Sequence, residues 1–71
     1  MTEAAKIGHY IKDLRKQKGY TQEQLANELF MSAYYLRLIE HGTANPTINM
    51  VEKITSFLKI ELNDVDSKGG V

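Results

Sequence analysis

The sequence predicts an all-α bundle of four or five short helices. Apolar residues recur at helical spacing in successive segments: Ile7, Ile11 and Leu14; Leu25, Ala26 and Leu29; Leu36 and Ile39; then Val51, Ile54 and Leu58. Start and stop residues punctuate these segments, with Thr21, Ser32 and Thr47 as caps and Gly19 and Gly42 as ends. The connections between them are brief, the single proline is Pro46, and there is no repeat, low-complexity stretch or interior linker.

The first helix is expected from about Glu3 to Lys18, with Ile7, Ile11 and Leu14 on its inner face and Gly19 stopping it. Thr21 opens the second, where Gln24 three residues on completes a capping box. Ser32 opens the third, Leu36 and Ile39 point inward, and Gly42 closes it as a left-handed cap. Roughly Leu29 to Met31 separate the two helical patterns, which forces a sharp angle between them. Two helices crossing so sharply present the second one outward, shaped to enter the major groove of double-stranded DNA. Thr47 then caps a fourth helix to about Leu58, with Ile48, Val51, Ile54, Thr55 and Leu58 along one stripe. Glu61 to Asp66 are expected as a last short turn carrying Leu62 and Val65, and residues 67–71 as a frayed tail. The expected organisation is one domain over residues 1–66 followed by that flexible tail.

Composition narrows the functional classes. Seventy-one residues with 42% hydrophobic content make one domain near the lower size limit for folding without staples, so dimerisation is a plausible source of stability. With no cysteine there is no disulfide, thiolate nucleophile or Cys-based zinc site. No signal peptide or run of membrane-spanning length is evident, and a cytoplasmic setting is expected. His9 and His41 lack companion ligands, and no catalytic set or phosphate-binding glycine loop occurs. No enzyme activity, metal or cofactor is expected.

Charge argues less strongly for a nucleic-acid partner. Nine Lys and Arg balance nine Asp and Glu, where a DNA-binding domain is often basic. The balance is uneven, however. Lys6, Lys12, Arg15, Lys16 and Lys18 face only Glu3 and Asp13 in residues 1–20, and the remainder is net acidic. The local field at the phosphates matters more than the total.

The series Leu14-Arg15, Gly19-Tyr20-Thr21-Gln22, Leu25-Ala26, Ser32, Leu36, Ile39-Glu40, Gly42 and Pro46-Thr47 resembles the lambda-repressor-like helix-turn-helix proteins, the Cro/repressor type of small bacterial and phage regulators. The pattern fits from about residue 6 to residue 65. The resemblance implies a transcriptional regulator, a repressor or an autoregulatory controller, that binds a palindromic operator as a homodimer.

It also implies residue roles. Gln22 matches a position that touches a DNA phosphate, against the plainer reading of a polar helix start in water. Ser32, Ala33, Tyr34, Arg37 and Leu38 match positions that face base edges or the adjoining backbone. Arg37 has three readings: a bidentate pair with guanine, a grip on phosphate, or a solvated side chain. Ala33 and the Tyr34 ring suit a thymine methyl, and Tyr34 and Tyr35 can each donate a hydroxyl to phosphate. Tyr35 has a structural reading of equal weight. Thr43 and Asn45 lie in a loop that contacts phosphate in the family through basic residues, which this loop lacks. Backbone N–H groups and Asn45 are expected to serve there instead. Arg15 and Glu40 are implied to form a partly buried ion pair tying the first helix to the motif. Phe57, Ile60, Leu62 and Val65 are implied to form a two-fold interface, with closure of the core as the alternative for them.

Two departures carry expectations of their own. Phe30 occupies a turn position that commonly holds Gly at positive φ. Either the turn differs locally, or the ring covers apolar surface and offsets the strain. Leu38 is expected exposed, meeting a thymine methyl or a partner protein. The alternative function is accordingly a protein-interaction module, or an antitoxin component, that uses the third helix to bind a protein.

Overall fold

A computed structural model describes residues 2–70, and the side chains of residues 2–59. It contains four helices: α1 (Glu3–Lys18), α2 (Gln22–Glu28), α3 (Ala33–His41) and α4 (Ile48–Gly70). α1 packs against both α3 and α4, and α2 packs against α3.

Each start is fixed by a hydroxyl. Thr2 accepts from Ala5 N at 3.0 Å, Thr21 from Gln24 N at 3.0 Å, Ser32 from Tyr35 N at 3.0 Å and Thr47 from Met50 N at 3.1 Å. Thr21 N donates in return to Gln24 Oε1 at 2.9 Å, so the capping box is complete. α1 ends on Gly19 at φ 83° and α3 on Gly42 at φ 78°.

The core draws on all four helices: Ile11 and Leu14, Leu25, Ala26 and Leu29, Leu36 and Ile39, and Ile54 and Leu58. Ile48 does not join it and is 77% exposed. It lies six residues before Ile54, about 120° round the helix at ~3.6 residues per turn, which turns it away from the buried stripe. α4 also continues without a break through Gly70, beyond Leu58 where the periodicity set its end, so no separate last turn is formed.

α1 and α3 cross unusually closely at Gly8. A Cβ at that position would lie 2.1 Å from the Ile39 carbonyl oxygen. Gly42 is confined in a similar way, since a Cβ there would approach Ala5 Cα to 2.8 Å.

The turn between α2 and α3 is a Schellman closure. Met31 N donates to Ala26 O at 3.0 Å and Phe30 N to Asn27 O at 3.3 Å, which puts Phe30 at the left-handed position. Its φ is 55° and its side chain is 94% exposed. The turn therefore does not differ from the glycine-type form, and the ring covers no apolar surface. Both expected ways of avoiding the strain are excluded.

Candidate nucleic-acid interface

The third helix is held in place by a buried polar network. Arg15 Nε donates to Glu40 Oε2 at 2.7 Å, and an Arg15 terminal nitrogen donates to Glu40 Oε1 at 3.0 Å. The other terminal nitrogen donates to the Tyr20 carbonyl at 2.7 Å. The Arg15 and Glu40 side chains are 9% and 2% exposed. Arg15 is thus turned inward and joins α1, α3 and the corner leading into α2.

Glu40 has a further partner that sequence reasoning missed. Its Oε1 accepts Gln22 Nε2 at 3.0 Å, so the first residue of α2 is pinned to the end of α3. The missed signal was the shared acceptor: a carboxylate with two oxygens can serve Arg and a neighbouring amide at once.

Between α2 and α3 lies an open groove of about 290 Å³ lined by Thr21, Gln22, Glu23, Ala33, Tyr34 and Arg37. Gln22, Ala33, Tyr34 and Arg37 of the expected interface are brought together there. Tyr34 is 62% exposed, and the Arg37 guanidinium carbon sits 5.2 Å from its ring centroid. Such stacking orients a guanidinium while leaving its in-plane N–H edges available. Glu23, which sequence reasoning passed over, brings a carboxylate to the same groove.

The remaining residues are placed less simply. Ser32 is exposed but its hydroxyl oxygen is committed to capping α3. Ala33 and Tyr35 are half-buried and pack on the core. Leu38 is half-buried, not exposed as expected. Thr43 and Asn45 are exposed. Two of the loop N–H groups are not available as expected: Thr43 N and Ala44 N both donate to the Leu38 carbonyl, at 3.0 and 3.2 Å, and the Thr43 hydroxyl joins them at 3.2 Å.

Phe57 is half-buried and packs on the core, its ring 5.8 Å from that of Tyr20 at 52°. The side chains of Ile60, Leu62 and Val65 lie outside the described residues. Among the described residues no cluster of His, Cys, Asp and Glu could hold a metal ion, and no helix is long and apolar enough to cross a membrane.

Comparison with known proteins identifies the family. The helix-turn-helix family matches residues 11–65. The chain is 40% identical over 60 residues to the HTH-type transcriptional regulator SlrR of Bacillus subtilis, covering 83% of this chain and 40% of that protein. It is 36% identical over 63 residues to the ImmF control region 10 kDa protein of Bacillus phage phi105, covering 89% of this chain and 70% of the other. The HTH-type transcriptional regulator SinR of Bacillus subtilis is 36% identical over 58 residues, 80% of this chain and 52% of its own length. The chain therefore spans about half or less of SlrR and SinR. No solved structure matches it significantly. The chain belongs to the lambda-repressor-like helix-turn-helix family, a family of DNA-binding transcriptional regulators and not of enzymes.

Proposed function

We propose that this protein binds duplex DNA sequence-specifically and represses transcription by occupying a palindromic operator as a homodimer. The observation that carries this reading is the groove between α2 and α3, with Arg37 stacked on an exposed Tyr34 at its edge. α3 enters the major groove. Arg37 reads guanine O6 and N7, Ala33 and Tyr34 meet a thymine methyl, and Leu38 borders the same bases. Gln22, Ser32, Tyr35 and Asn45 meet the sugar-phosphate backbone, which sets register rather than selectivity, while Thr43 spends its backbone N–H and its hydroxyl on the Leu38 carbonyl and shapes the loop. Phe57, Ile60, Leu62 and Val65 contribute to the two-fold contact, which spaces the two α3 helices about one DNA turn apart, ~34 Å. Phage phi105 supplies a relative named as an immunity repressor, 34% identical over 59 residues, which supports the repressor reading.

Selection from random duplex DNA tests the proposal. It should enrich a palindrome with half-sites one helical turn apart. Binding should weaken with salt at a log–log slope near −0.9 per phosphate, about −4 to −8 for a dimer. Enrichment of no sequence would overturn the specific reading. The alternative, a protein-interaction module or antitoxin component, is favoured by one observation, the fully presented aromatic ring of Phe30 beside α3. A flat salt response with retained binding to a protein would select it.

A further inference from the structure

A second, smaller cavity lies on the other side of Gln22. It measures about 50 Å³ and is lined by Lys12, Gln22, Glu40 and His41. It joins the middle of α1, the start of α2 and the end of α3, and Gln22 forms a wall common to it and to the larger groove. That volume has room for the oxygens of one phosphate group to enter from solvent.

The chemistry of the lining selects an anion. Glu40 is already answered: its two oxygens take both Arg15 hydrogen bonds, and one of them also takes the Gln22 amide. Lys12 is half-buried and has no ion-pair partner among the described residues. The Gln22 amide has a second N–H beyond the one given to Glu40, and the His41 ring always carries an N–H donor. With the Glu40 charge balanced by Arg15, the cavity is left with the Lys12 cation and two further N–H donors.

Resting on the DNA-binding reading above, we propose that Lys12, Gln22 and His41 form a seat for one backbone phosphate of duplex DNA. Lys12 on α1 is then a DNA-contacting residue, although α1 lies outside the two-helix motif. The seat supplies a cation that the loop at residues 43–45 lacks. It places one cation at the motif of a chain whose charges otherwise balance.

The test uses the intact chain and the duplex enriched by the selection above, with affinity measured across a salt series. Lys12→Met keeps the aliphatic stem and removes the charge. It should lower the magnitude of the log–log slope by about 0.9 per bound subunit and weaken all duplexes alike, with base preference unchanged. Lys12→Arg should restore the slope. His41→Ala, on a different helix, should weaken all duplexes alike without changing base preference. Lys53→Met on α4, which lines neither cavity, should leave the slope unchanged. A Lys12→Met slope equal to the parent's, in a parent that binds DNA normally, overturns the seat and leaves the DNA-binding reading intact. Failure of the parent itself to bind any duplex overturns both.

Discussion

Arg15 and Glu40 meet through two parallel hydrogen bonds of 2.7 and 3.0 Å, and neither side chain is more than 9% exposed. Planar guanidinium and carboxylate match edge to edge, which fixes the angle between α1 and α3 as well as their separation. Removing either member strands a charge in the interior. Arg15→Met should therefore cost about 3–5 kcal/mol, a large share of the stability of so small a domain. A denaturant titration of Arg15→Met, Glu40→Leu and the double variant checks this. Additive losses would show that the two side chains are not coupled.

Phe30 offers the opposite experiment. A non-glycine residue at φ 55° is strained, and a ring 94% exposed recovers nothing within the chain. Phe30→Gly should raise stability by about 1 kcal/mol, since relief of strain exceeds the entropic cost of glycine. In a domain of this size that is a rise of roughly 4–8 °C in Tm. An unchanged or lower melting temperature would mean the left-handed strain is not what limits the turn.

Gly8 should tolerate nothing larger. Its missing Cβ would fall 2.1 Å from the Ile39 carbonyl oxygen, a backbone atom that cannot rotate aside. Gly8→Ala should force α1 and α3 apart and cost about 3 kcal/mol, despite the better helix propensity of alanine. Thermal unfolding of the variant measures this directly, and a stabilised Gly8→Ala would show that the helices separate freely.

The proposed readout separates into two kinds of variant. Arg37→Met should cost roughly 1–3 kcal/mol at the guanine it reads and relax preference at that position. Tyr34→Ala should relax preference at the neighbouring pair and also loosen Arg37, which rests 5.2 Å from the ring. Gln22→Ala should weaken every duplex alike. Repeating the selection with each variant distinguishes them, and uniform loss from all three would remove Arg37 and Tyr34 from the base-reading role.

The helices were legible because their signals are local. Thr21, Gln24, Ser32, Gly19 and Gly42 act within a few residues of where they stand, and each sits in the cap or stop its type dictates. What was hidden depends on elements distant in sequence. Gly8 looks like a blemish in a helix until Ile39 is brought against it. The Gln22–Glu40 bond spans eighteen positions and has no periodicity to reveal it. Ile48 misled for a different reason: it is apolar and begins a helix, but its angular position turns it outward. The small cavity escaped notice because Lys12, Gln22 and His41 come from three helices.

The Leu38 carbonyl absorbs three donors from the loop that follows α3. That leaves Thr43 and Ala44 no main-chain N–H to offer, and it ties the start of the loop to the end of α3. On the proposed function, tightness of grip and choice of sequence can then be adjusted apart from one another. Asn45→Lys, at an exposed position, should strengthen attachment to every duplex, while base preference stays with the outer side of α3.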